Sequence, residues 1–156
     1  MAASDHWPEI EALYRADFPR FARVARAIVG ERETAVDAVQ EGFADALRHA
    51  GQWSGRGPLE AWVWRCVVNR ARKARPRRHE PLAADGDGRD AGFDPELRAR
   101  LASLPERQRL VVFLRYFADL SYQEIATALE IRVGTVSATL NAAHNSLRMA
   151  LEEVPA

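Results

Sequence analysis

The run Ala83-Ala84-Asp85-Gly86-Asp87-Gly88-Arg89-Asp90 carries no large apolar side chain, and it divides a chain whose remainder is patterned for helices. A segment that buries so little cannot offset the entropy of ordering its backbone. Residues 77–94 are therefore predicted to be a flexible linker between two small helical domains, 1–76 and 95–156.

Before the linker, Ile10, Leu13, Tyr14, Phe21, Val24, Ala25 and Ile28 recur at helical spacing over residues 9–29, a stripe interrupted at Pro19 and ended by Gly30. Val36, Val39, Phe43, Leu47 and Ala50 repeat the period over 34–50, which leaves Asp37, Gln40, Glu41 and Asp45 on the other side as an acidic flank. A turn-rich loop, Gly51 to Gly57, leads to Pro58, which suits the first position of a third helix running to about Ala74 and stopped by Pro76. After the linker, Asp94-Pro95-Glu96, Ser103-x-x-Glu106 and Ser121-x-x-Glu124 mark helix starts, the last two with capping-box spacing. The predicted helices are 95–102, 106–118, 122–129 and 133–152. No strand alternation competes, so the expected fold class is all-α.

Apolar residues at 47% and charged residues at 28% describe an ordinary globular chain, which excludes wholesale disorder. The 22 cations balance 22 acids, so any basic surface must be local. The single cysteine, Cys66, rules out an internal disulfide and is expected to be a buried small apolar group. No signal peptide opens the chain and no run approaches the roughly 18 apolar residues of a membrane span, so no membrane insertion and a cytoplasmic location are expected. His6, His49, His79 and His144 lack ligand spacing, so no metal is expected. Asp85 and Asp87 with Glu96 at the twelfth position have calcium-loop spacing, but Arg89 and Asp90 replace a ligand and the obligatory glycine. Phosphate-binding, dinucleotide and nucleophile-elbow motifs are absent, so neither a cofactor nor an enzymatic activity is expected.

Charge concentrates in one place. Arg56, Arg65, Arg70, Arg72, Lys73, Arg75, Arg77 and Arg78 face the single acid Glu60 within 56–78. A wheel with Leu59, Trp62, Val63 and Cys66 inward sends Trp64, Arg65, Val68, Arg72 and Arg75 outward. Guanidinium groups that neutralise phosphates, beside an indole that stacks on an unpaired base, suit nucleic acid. Trp53 in the preceding loop is a second aromatic candidate. Near the other end, a short helix with Ile125, Ala126 and Leu129 inward, a tight turn through Glu130 and Ile131, and a helix with Val136, Leu140, Ala143 and Leu147 on one stripe have helix-turn-helix spacing.

With both features in place, the chain resembles the extracytoplasmic-function (ECF) group of the sigma-70 family, the subunits that direct bacterial RNA polymerase to promoters. The segment Asp37-Ala38-Val39-Gln40-Glu41-Gly42-Phe43 is similar to the core-binding helix of region 2, and Leu59-Glu60-Ala61-Trp62-Val63-Trp64-Arg65-Cys66-Val67-Val68-Asn69 to its promoter-melting helix. Leu101 to Arg109, Leu120 to Ala126 and Gly134-Thr135-Val136 are similar to region 4. The resemblance implies that Asp37, Gln40, Glu41 and Asp45 face the β′ coiled coil of core polymerase. It implies that Trp53, Arg56, Trp64, Arg65, Asn69, Arg72 and Lys73 capture the melted non-template strand of the minus ten element. Region 4 would contact the β flap and, through Arg132, Thr135, Ser137, Ala138, Asn141, Asn145 and Arg148, the minus thirty-five element. Promoter DNA, core polymerase and an anti-sigma factor are the implied partners, the free protein is expected to be a monomer, and it would reach the nucleoid through the polymerase.

One departure limits the implied contact. Where the family carries a basic recognition helix, this chain reads Ser137-Ala138-Thr139-Leu140-Asn141-Ala142-Ala143-His144-Asn145-Ser146, flanked in charge only by Arg132 and Arg148, so attraction to phosphates at the minus thirty-five element should be weak. Glu130 stands at a turn position where glycine is common and adds a negative charge there. The alternatives are a sigma-like protein whose region 4 is mainly a protein-binding module, or a plain helix-turn-helix regulator that never joins polymerase.

Overall fold

The computed structural model describes residues 6–53, 55, 57–74 and 95–152, without the side chains of residues 97, 98 and 151. The predicted linker therefore lies outside the described residues, as does Arg56. Seven α-helices are described: α1 (Trp7–Val29), α2 (Arg32–Arg48), α3 (Leu59–Ala74), α4 (Pro95–Ser103), α5 (Glu106–Tyr116), α6 (Tyr122–Leu129) and α7 (Val133–Glu152). No strand occurs among the described residues.

α1 departs from expectation by running straight through Pro19. Proline removes one backbone hydrogen bond from a helix interior. Pro19 lies on the exposed side of α1, where water can serve the freed carbonyl, while Ile10, Phe21, Val24, Ala25 and Ile28 bury the opposite side on both flanks of it. The helix ends at Gly30, whose φ of 82° turns the chain and whose N–H returns to the Arg26 carbonyl.

α2 and α3 cross unusually closely. A Cβ on Gly42 would lie 2.6 Å from the Val67 Cα, so only glycine admits the α3 backbone there. Around this crossing Phe21 meets Phe43 edge-on at 4.9 Å, and Phe43 meets Tyr14 at 5.1 Å.

The two serine-led capping boxes behave differently. Ser121 accepts a hydrogen bond from the Glu124 N–H at 3.1 Å, and the Glu124 carboxylate accepts from the Ser121 N–H at 3.2 Å, so α6 is capped as expected. The Ser103 box does not form: its hydroxyl donates back to the Arg100 carbonyl at 2.6 Å, and Pro105 stands at the N-cap of α5 instead. The reason is local, since α4 runs through Ser103 and claims its hydroxyl before α5 begins.

Across the break, α3 packs against α6 and α1 against α5, so one contiguous buried cluster runs from Ile10 and Phe21 through Trp64 to Leu114 and Leu140. Val136, Leu140 and Ala143 of the expected α7 stripe are buried, with Leu147 half-buried at its margin.

Candidate nucleic-acid interface

α3 buries Ala61, Val63, Trp64, Val67, Val68 and Ala71. This corrects the sequence expectation at two positions, because Trp64 and Val68 point inward. Trp64 has no exposed surface and stacks on Phe21, with ring centroids 3.8 Å and planes 18° apart. Trp62 and Cys66, expected inward, are only half-buried. The cause is that α3 is covered by α1 and α2 and also by α6, so its apolar arc is wider than one helical stripe and turned toward Trp64. A ring with no accessible face cannot stack on a base, and Trp64 leaves the candidate interface.

Arg65, Asn69, Arg72 and Lys73 remain on the outer side of α3, Arg65 half-buried and the other three exposed. Their spacing places them on one face across two turns. Arg65 Nε donates to Glu130 Oε1 at 2.5 Å, and Arg72 Nε lies 3.4 Å from Glu106 Oε1. Both carboxylates come from the second half of the chain.

Arg70 turns the other way. It donates from Nε to Asp45 Oδ2 and from a terminal nitrogen to Asp45 Oδ1 at 2.9 Å, and lies 3.5 Å from Glu41 Oε2. These hydrogen bonds, assisted by Arg48 and opposed by burial, hold the Asp45 carboxyl down at about 2. Asp45 thus braces α2 against α3, whereas Asp37, Gln40 and Glu41 are exposed along the outer flank of α2. The Cys66 thiol is pushed up to about 11, first by burial and then by the nearby Asp45 charge, so it remains protonated at neutral pH and unsuited to nucleophilic work.

Trp53 is half-buried, its ring edge-on at 4.7 Å to His6 at the start of α1, and its buried Nε1 has no hydrogen-bond partner. Its loop follows a single 3-10 turn, Ala50–Gln52.

The helix-turn-helix is formed by α6, the turn through Glu130, and α7. Glu130 caps α6 in the left-handed conformation, at φ 56° and ψ 44°, and the Ile131 N–H returns to the Ala126 carbonyl at 3.0 Å. Along the outer side of α7, Ala138, Asn141, Asn145 and Arg148 are exposed, with Arg132 exposed just before the helix. Ser137 and Thr135 are half-buried, and Thr135 gives its carbonyl to the Thr139 hydroxyl at 2.6 Å. Arg148 donates to the Asn145 side-chain oxygen, so the one guanidinium on this face is already tied to its neighbour.

Sequence reasoning missed Glu106 and Glu130 as partners of the cationic helix. Glu130 was conspicuous as an acid in a glycine position, but nothing in a linear pattern points to a partner 65 residues away. Among the described residues no cluster of histidine, cysteine, aspartate or glutamate is placed to hold a metal, and no helix is long and apolar enough to cross a membrane.

Residues 13–80 match the family model of sigma-70 region 2, and residues 95–143 that of sigma-70 region 4. The chain is 30% identical over 149 residues to the RNA polymerase sigma-H factor of Pseudomonas aeruginosa, an alignment covering 80% of this chain and 76% of that protein. It is 31% identical over 156 residues to the RNA polymerase sigma-E factor of Streptomyces avermitilis, covering 92% and 86% respectively. Among solved structures, its fold is similar to that of CnrH in complex with the cytosolic domain of CnrY, at a TM-score of 0.75 and 24% identity over 99% of this chain and 94% of that one. The sigma factor RpoE in complex with the anti-sigma factor NepR from Bartonella quintana is also similar, at a TM-score of 0.72 and 19% identity over 94% of this chain and 99% of that one.

Proposed function

The chain belongs to the extracytoplasmic-function group of the sigma-70 family, and from that premise we propose how its residues divide the work of promoter-directed transcription initiation. The protein binds core RNA polymerase and directs it to promoters. Within residues 1–76, the exposed Asp37, Gln40 and Glu41 flank of α2 meets the basic β′ coiled coil, while Asp45 holds Arg70 and acts from behind. The opposite task falls to Trp53, Arg65, Asn69, Arg72 and Lys73, joined by Arg56, which take the melted minus ten strand. Unpaired bases are unstacked at a cost that aromatic and cationic contacts offset.

Residues 95–156 present α7 to the minus thirty-five element. There Asn141 and Asn145 offer amide groups to base edges, and phosphate attraction is limited to Arg132 and Arg148. The β flap is the partner of this half on the polymerase, and an anti-sigma factor is the partner of the protein when it is withheld from polymerase. No step of this scheme makes or breaks a covalent bond; the factor supplies binding energy for strand opening and the polymerase joins nucleotides. The protein acts as a monomer when free, in the bacterial cytoplasm at the nucleoid.

The observation that carries this reading is the pairing, in one helical block, of an exposed acidic flank on α2 with a cationic face on α3, which suits a basic protein and a nucleic acid at once. It is tested by gel-filtration co-elution with bacterial core RNA polymerase. Wild type is expected to co-elute stoichiometrically, and Asp37→Arg with Glu41→Arg to abolish it. A wild type that elutes apart from core polymerase, or a double variant that still co-elutes, overturns the assignment of that flank.

A further inference from the structure

The loop that leads into α3 turns on two glycines. Gly55 and Gly57 take φ of 77° and 75°, each with open space where a side chain would stand. Ahead of them Trp53 gives its N–H to the Ala50 carbonyl at 3.3 Å, a long bond that ends the 3-10 turn. A tryptophan at such a place has two side-chain torsions to settle, and the ring it packs on decides where the indole points.

That ring is His6, 47 residues earlier in the chain. The two planes stand 87° apart, the edge-on arrangement that the charge distribution of aromatic rings favours. His6 is itself fixed, because its carbonyl accepts the Ile10 N–H at 3.0 Å and Ile10 is fully buried. It holds the N-cap of α1, a position that serine, threonine, aspartate or asparagine fills best, yet its side chain makes no capping bond. Its Nδ1 is buried without a hydrogen-bond partner, with Glu9 Oε1 3.9 Å away. Trp53 Nε1 is likewise unpartnered, so no hydrogen bond joins the two residues and the contact is one of ring against ring.

We propose that His6 is a positioning residue for strand capture: its ring holds the Trp53 indole in the orientation that meets an unpaired base. The start of α1, which touches no nucleic acid in this scheme, thereby takes part in recognition of the melted strand. Holding the indole before the strand arrives spares the cost of ordering it on binding. The inference rests on the assignment of Trp53 to the strand and deepens it.

The experiment uses the full chain assembled with bacterial core RNA polymerase, and core polymerase alone sets the background. The probe is a labelled fork-junction DNA whose single-stranded non-template overhang has mixed sequence. His6→Ala and Trp53→Ala are each expected to weaken binding of the overhang by about tenfold, the loss of one stacked base. The two together are expected to bind no more weakly than either alone, because both remove the same held indole. His6→Phe, which keeps a ring and discards the unpaired nitrogen, is expected to bind within about twofold of wild type. Co-elution of every variant with core polymerase separates a lost strand contact from a lost fold.

Affinity lost in Trp53→Ala but kept in His6→Ala overturns the positioning role and leaves Trp53 on the strand. Losses that add in the combined variant overturn it too, since the two rings would then act separately. So does a His6→Phe variant as weak as His6→Ala, which would mean that the ring contact is not what matters. Wild-type affinity in Trp53→Ala overturns the assignment of Trp53 to the strand, and the role of His6 with it.

Discussion

Asp45 accepts hydrogen bonds from Arg70 on both of its oxygens and another from Arg48, which is why its carboxyl titrates near 2 and not near 4. A carboxyl whose folded value lies below its unfolded one stabilises the protein wherever it is ionised in both states, and that stability is lost as pH falls from about 4 through about 2. Asp45→Asn is therefore expected to lower stability by about 1 kcal/mol at pH 7, given the partial solvent screening of the pair. The loss should shrink toward zero between pH 4 and pH 2 in urea titrations; a difference that stays constant with pH would show that packing and not charge is involved. At this scale the sequence was a partial guide. The acidic flank of α2 was legible from period alone, but which acid turns inward depends on Arg70, one helix away. Trp64 was misplaced for a related reason: a tryptophan beside arginines has the composition of a base-stacking site, and only the presence of Phe21 against its face distinguishes it as core.

The α2–α3 crossing is where two elements depend on one missing side chain. Because a Cβ on Gly42 would meet backbone as well as the Val67 methyl, Gly42→Ala cannot be relieved by a rotamer change and must push the helices apart. It is expected to cost about 1–3 kcal/mol in spite of the better helix propensity of alanine. Chemical denaturation measures this, and a neutral or stabilising result would show that the crossing is looser than described. Helix existence and most boundaries were legible, because apolar period, Gly30 and the Ser121 box act within one or two turns. What was not legible was competition between neighbouring elements. Ser103 has the same spacing to its glutamate as Ser121, yet α4 claims it first. The buried arc of α3 was likewise misjudged because a wheel drawn from one helix contains no information about a third partner such as α6.

Over the whole molecule, two helical halves share one buried cluster and are also tied by Arg65 to Glu130 and Arg72 to Glu106. Halves coupled through a shared buried apolar cluster unfold together, so calorimetry is expected to give a single transition. Two transitions in the wild type would mean the halves are thermodynamically independent. The two-module order was readable from sequence because each module carries local motifs; their mutual contact was not, since no motif spans the break between Ala74 and Pro95. The covalent connection has a kinetic and concentration consequence. Residues 75–94, twenty in number, join the bearer of Arg65 to the bearer of Glu130. An intramolecular partner on a short tether competes at an effective concentration on the order of millimolar. At that concentration an opened Arg65–Glu130 contact re-forms before a dilute outside partner is met.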